Sequence, residues 1–196
     1  MRMDRTGESN ERARITALIT ILRQDSTADR RAAADELGSI GDAFAVCALC
    51  ECLHDDDKEV RARVAAALGR MGTPAVPSLI ALLADPDWHV RYRATEALGA
   101  IRSRQAVPAP VAALSDVRDH VRYMAAKSLG LIGDPATLGP LIAAIDDENE
   151  FARRSVAIAL GSLGSDAARE ALTGRLDVEP CEGVRAAIEK VLGTIR

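Results

Sequence analysis

Few residues in this 196-residue chain could do chemistry: three histidines, four cysteines, and arginines and carboxylates at regular spacing. Cys47, Cys50 and Cys52 crowd onto one stretch that ends in His54, a density that raises the question of a metal site or a disulfide. On a helix Cys47 and Cys50 share a face and Cys52 points elsewhere. Zinc sites built from paired cysteines need a turn between the pairs, and a disulfide needs facing Cβ atoms. These cysteines therefore read as small packing residues. His89 and His120 stand at equivalent places in neighbouring units. Stacked helices lie roughly 8–10 Å apart, too far for two imidazoles to share one ion without further ligands. The expectation is no metal, no cofactor and no catalytic residue. No glycine-rich phosphate loop and no Ser–His–Asp arrangement stands out.

The charged residues fall into columns. Asp55, Asp85, Asp116, Asp147 and Glu179 each stand six positions before an arginine: Arg61, Arg91, Arg122, Arg153 and Arg185. Arg30 opens the arginine column with Gln24 in the acid's place. Eight positions after each arginine comes the glycine of a Leu-Gly pair, from Leu37-Gly38 to Leu192-Gly193, at intervals of 30 to 32 residues. Acids and arginines in register could suggest acid–base catalysis. Repeated along the whole chain, they read instead as a structural ladder in which each arginine reaches an acid of a neighbouring turn.

The elements that must position these columns are paired helices. Val76-Pro77-Ser78-Leu79-Ile80-Ala81-Leu82-Leu83 typifies the first helix of a unit, with Pro in the first turn, where its missing N–H costs nothing. Leu79, Ile80 and Leu83 are expected on one apolar face, and Cys50 aligns with the Ile80 position as a core residue. An acidic turn follows, and then a second helix, Val90 to Ile101, with Val90, Ala94, Leu98 and Ile101 at helical spacing. It closes near a glycine, as at Gly41, Gly72, Gly133 and Gly164, where a left-handed C-cap is expected. Arg102 and Arg196 take that place in two units. Ile15, Leu18, Ile19 and Leu22 fit the first helix of the first unit, with polar Arg12, Thr16, Thr20 and Arg23 outside as a terminal cap requires.

The pattern of Asp, Val-Arg six residues on, then Ala-x-x-Leu-Gly closely resembles HEAT-like repeats of the phycobilisome-lyase type, over about residues 10–195. The resemblance implies an all-α, right-handed α-α superhelix of about six helical hairpins, at approximately 10–41, 43–72, 74–102, 105–133, 136–164 and 167–196, forming a single domain 1–196. It implies that the Asp and Arg columns are structural and that the second helices line the concave surface. On those helices two exposed columns vary in type: the position before the Val (Glu59, His89, His120, Phe151) and the position after the Arg (Tyr92, Tyr123, Arg154 among others). Trp88, His89, Tyr92, Arg93, His120, Tyr123, Phe151 and Arg154 form the expected partner-binding strip, because aromatics and Arg carry binding energy at interfaces.

The net charge of −4 argues against a duplex-DNA binder. Single-stranded nucleic acid stacking on Tyr92 and Tyr123 is a lesser alternative. No apolar run reaches the length of a membrane span, and the polar start Met1-Arg2-Met3-Asp4-Arg5 lacks a signal-peptide pattern, so a cytoplasmic location is expected. The expected function is a non-catalytic scaffold binding another protein. The alternative is an accessory or bilin-lyase-like subunit acting on a partner protein. Deoxyhypusine hydroxylase, of related repeat type, uses His-Glu pairs to hold two irons; here the three histidines are followed by Asp, Val and Val. The expected state is monomeric, or weakly self-associating end to end.

Overall fold

A computed structural model describes residues 5–195; Met1 to Asp4 and Arg196, which bear on the expectations for the two ends, lie outside the described residues. The described chain is all helical, and its helices run in six pairs. The first member of each pair is α1 (Arg5–Gln24), α3 (Val46–Glu51), α5 (Val76–Ala81), α7 (Pro108–Ala113), α9 (Leu138–Ala143) and α11 (Asp166–Val178). The second is α2 (Thr27–Ile40), α4 (Lys58–Met71), α6 (Trp88–Ile101), α8 (Asp119–Ile132), α10 (Glu150–Leu163) and α12 (Glu182–Leu192). None of these helices is both long and apolar enough to cross a membrane.

Local chemistry sets the helix ends. The carboxylates of Asp57 and Asp87 and the amide of Asn149 accept backbone N–H groups at the starts of α4, α6 and α10, satisfying donors that have no partner inside the helix. Gly133 and Gly164 close α8 and α10 in the left-handed conformation. Arg102 takes that same conformation at φ 56°, a geometry that a side chain normally disfavours.

The even-numbered helices form one layer, each packed along its length on the next; the short α3, α5, α7 and α9 cover one side of it and barely touch each other. The Leu-Gly column explains the close approach of the even helices. A Cβ added to Gly99 would lie 2.5 Å from Ser128 Oγ and 2.8 Å from Ser128 Cα on the next helix, and one on Gly130 would lie 3.0 Å from Ala159 Cα. Between the layers runs an apolar spine that includes Leu37, Leu68, Leu98, Leu129 and Leu160, all fully buried. Ile80, expected in this core, is 38 % exposed. Val76 and Leu79 occupy the buried side of α5 and Ile80 projects beside it, whereas the smaller Cys50 at the equivalent place on the equally short α3 is buried.

Charged side chains join neighbouring pairs. Arg91 donates through Nε and Nη2 to both carboxylate oxygens of Asp116 at 2.7 and 2.8 Å, and through Nη1 to the carbonyls of Asp85 and Pro86. One guanidinium thus holds its own unit's turn and the acid of the next unit in a bidentate fork. Arg30 with Asp55, Arg122 with Asp147 and Arg153 with Glu179 repeat the geometry. Each of these acids also accepts the N–H two residues on, as Asp147 does from Asn149 at 2.8 Å. Arg61 differs from the expected ladder. It bonds the carbonyls of Asp55 and Asp56 and no carboxylate among the described residues, while Asp85 meets His54 Nε2 at 2.9 Å instead. Asp85 follows Arg61 by 24 positions, where the paired acids follow their arginines by 25 or 26; the missing position lies between α4 and α5, where Gly72 alone both closes α4 and opens the next turn. Arg185, in the last pair, donates to the carbonyls of Leu176 and Glu179.

Candidate functional site

The solvent-facing side of α8 and α10 carries the feature that packing leaves unexplained. Among the described residues seven large apolar side chains are exposed, and three of them, Leu131 (39 %), Phe151 (59 %) and Ile158 (51 %), line one groove between these helices. The groove encloses about 620 Å³, and Tyr123, Lys127 and Arg154 complete its walls. Its floor is made of small residues, Gly130, Ser155 and Ala159, which follows from the close approach of the two helices. A second cavity of about 300 Å³ adjoins it, sharing Tyr123 and Phe151 and adding Asp119, His120 and Asn149.

Tyr123, Lys127 and Leu131 recur at every fourth position of α8, and Phe151, Arg154 and Ile158 at i, i+3 and i+7 of α10, so each trio forms one stripe on its helix. Many of the described arginines are tied to acids, as Arg63 and Arg70 are to Asp35 and Arg93 to Glu96. Lys127 and Arg154 are exposed and form no ion pair among the described residues.

Towards α6 the face becomes more filled. Trp88 stacks on His89 with ring centroids 3.8 Å apart and lies 5.1 Å from the His120 ring. The Arg118 guanidinium sits 5.1 Å from the Trp88 centroid, in cation–π range. Trp88 and Tyr92 are partly buried and pack with Leu83 and Leu114 around Ala113, Val121 and Ala125. Burial raises the Tyr92 hydroxyl above its ordinary value, with Glu96 adding to the shift. The His120 ring, 2.7 Å from Asp119, holds that carboxyl below the usual range. For Asp87 burial opposes ionisation, but the N–H and ring of His89 outweigh it and lower the carboxyl.

Of the eight residues expected to form the strip, Tyr123 and Phe151 line both cavities, His120 lines the smaller and Arg154 the larger. Trp88, His89, Tyr92 and Arg93 belong to α6, outside the lining of either. Sequence reasoning missed Leu131 and Ile158. A signal was present: Ile158 occupies the repeat position held elsewhere by Asp35, Ala66, Glu96, Lys127 and Lys190, and Leu131 the position held by Ser39, Arg70, Ala100, Ser162 and Thr194. Both are apolar departures in columns of small or polar residues.

No three His, Cys, Asp or Glu side chains among the described residues are grouped to hold a metal ion. Cys50 and Cys52 are buried and Cys47 is exposed. Burial pushes the Cys50 thiol up to about 12 and the Cys52 thiol up to about 11, which suppresses the reactive thiolate. His120 with Asp119 is the acid–base pair at the smaller cavity, and no Ser, Thr, Cys or Lys lines that cavity.

The family model for HEAT repeats matches residues 15–85, 76–149 and 111–193. The chain belongs to the HEAT-repeat family. Its solenoid is similar to the CpcE–CpcF complex of phycocyanin lyase from Nostoc sp., with a TM-score of 0.72 and 23 % identity over 76 % of this chain and 99 % of that one. Human deoxyhypusine hydroxylase in complex with glycerol is similar with a TM-score of 0.55 and 26 % identity, over 92 % of this chain and 73 % of that one. A designed armadillo repeat protein in complex with the peptide (KR)4 matches with a TM-score of 0.61 and 18 % identity, over 93 % of this chain and 99 % of that one. No curated protein sequence matches the chain. These likenesses establish a HEAT-type solenoid; activity has to be argued from the residues of the site.

Proposed function

We propose that this HEAT-repeat protein is a non-catalytic scaffold that binds another protein on the face formed by its even-numbered helices, centred on α8 and α10. The observation that carries the reading is the groove of about 620 Å³ in which Leu131, Phe151 and Ile158 stand exposed. Single exposed apolar residues are ordinary on a protein surface. A contiguous set of them rimmed by charge marks an interaction site. The even helices are the more closely packed layer, and in a curved two-layer stack the closer-packed layer lies on the inner side. The lengthwise packing of the even helices on one another supports assigning the groove to the concave face. The predicted strip is retained in its Tyr123, Phe151, Arg154 and His120 portion. Trp88 and Tyr92 support that portion from α6, since part of their surface is used in packing. The columns of Asp and Arg serve as structure, because their polar atoms are taken up by each other and by backbone turns.

Site-specific photo-crosslinking in the source cells tests this reading. A crosslinker in place of Ile158 is expected to trap a discrete protein adduct. The same group in place of exposed Ala112 on α7 is not. Identical adducts from both positions, or none from Ile158, would overturn the scaffold reading.

A further inference from the structure

The two walls of the α8–α10 groove carry the same order of chemistry. On α8 it runs Tyr123, Lys127, Leu131, and on α10 it runs Phe151, Arg154, Ile158. Each wall places an apolar side chain at either end and a cation between them. Eight residues of helix span roughly 12 Å and seven roughly 10.5 Å, so the apolar ends on each wall are about two helical turns apart. The floor of Gly130, Ser155 and Ala159 offers room rather than side chains. The two cations have no carboxylate partner among the described residues, on a protein whose net charge is −4.

We infer that this groove receives an amphipathic acidic helix from a partner protein, with apolar residues at i and i+7 and carboxylates at i+3 and i+4. The inference rests on the scaffold reading and adds the chemistry of the partner. A helix lying along the groove presents residues i, i+3, i+4 and i+7 on one side. By repeat phase Ile158 stands level with Lys127 and Arg154 with Tyr123, so the walls are staggered by about one turn, and the partner's apolar residues meet the slanted pairs Tyr123–Phe151 at one end and Leu131–Ile158 at the other. The two carboxylates diverge to the two walls, one towards Lys127 and one towards Arg154. A bare polyanion satisfies the cations and leaves the apolar ends unfilled.

The test uses the full chain and fluorescein-labelled helical peptides of about 16 residues, stapled because unsupported helices of that length are marginal in water. One peptide has Leu at i and i+7 with Glu at i+3 and i+4. A second has Lys in place of both Glu. A third has the composition of the first, with the Glu moved to the opposite face. Fluorescence anisotropy is expected to show that the first binds and the other two do not. Lys127→Glu with Arg154→Glu should weaken the first peptide by at least about tenfold and admit the Lys peptide in its place, as exchange of complementary charge requires. Ile158→Ser should weaken the first peptide, and Lys58→Glu, far from the groove, should leave it unchanged. Circular dichroism melts show whether each variant remains folded; both reversed cations are exposed and unpaired, so their folds should be preserved.

Equal binding of the first and third peptides would overturn the inference, as would binding that survives the double reversal. Tighter binding of a labelled oligouridine, lost in the double reversal, would assign the cations to phosphate and also overturn it. Absence of any peptide binding, with a discrete crosslink still formed from position 158, would sink the acidic helix and leave the scaffold standing. Absence of both would remove both.

Discussion

Glu179→Gln is the sharpest test of the ladder. The side chain of Glu179 is fully buried, and its carboxylate accepts from Arg153 Nε at 2.8 Å, Arg153 Nη2 at 2.9 Å, Arg175 Nε at 2.9 Å and the Cys181 N–H at 2.9 Å. Burial alone opposes its ionisation, yet the donors from Arg153, Cys181 and Arg175 hold its pKa at about 2, below the ordinary 4.5. At about 1.4 kcal/mol per unit, that depression corresponds to about 3 kcal/mol of stability at pH 7. The figure agrees with the ~3–5 kcal/mol cost of breaking a buried pair from one side. Glutamine keeps the shape, removes the charge and turns an N–H₂ group towards guanidinium donors. A folded-state pKa below the unfolded value gives stability that is present above pH 4.5 and lost as pH falls through about 2. The gap between wild type and variant should therefore be about 3 kcal/mol at pH 7 and about 1 kcal/mol at pH 3. Urea unfolding followed by circular dichroism at the two pH values measures it. Glu148→Gln is the control: that carboxylate touches Arg122 at 3.1 Å but is 88 % exposed, and exposed pairs contribute about 1 kcal/mol or less. Equal losses for the two variants, or a gap unchanged at pH 3, would refute the account of the ladder.

Arg122→Ala should lower the melting temperature far more than Arg118→Ala. Arg122 holds Asp147 in a fork with both side chains about nine-tenths buried, at a cost of ~3–5 kcal/mol when broken, whereas exposed Arg118 adds about 1 kcal/mol or less through Trp88. Gly99→Ala is expected to destabilise by ~1–3 kcal/mol in thermal or urea melts, because its Cβ would meet the Ser128 backbone at 2.8 Å. Gly174→Ala, inside α11 with nothing within 4 Å of the new Cβ, should stabilise by up to about 1 kcal/mol in the same measurement. Iodoacetamide at pH 8 followed by mass spectrometry should label Cys47 first; prompt labelling of Cys50 or Cys52 in the native protein would contradict their burial and raised thiol pKa values.

Repeat register, helix pairing and the buried Leu column were legible in the primary structure because a solenoid repeats one local solution. Each unit meets the same neighbour in the same way, so a residue such as Leu98 or Arg91 has its environment set by its phase. The same regularity shows where an expectation fails: Asp85 comes one position early after Arg61, and the pair does not form. The role of the Leu-Gly glycines was harder to read. Their need for a bare Cα follows from Ser128 or Ala159 approaching from the next helix, a contact about 30 residues away in sequence.

An all-helical HEAT-repeat solenoid, its phase, and the acids and arginines of its columns follow from the residues alone. Repeat phase also places Tyr123, Phe151 and Arg154 among residues free to vary. Tertiary structure decided which of those variable residues remain available to a partner. Trp88 and Tyr92 have the composition of a binding site, but they share their surface with Leu83 and Leu114. Ile158 and Leu131 resemble core residues in type yet stand exposed over a floor of Gly130, Ser155 and Ala159. Exposure depends on the bulk of the side chains opposite, and those are set by the packing of α8 against α10, two separate units of the chain.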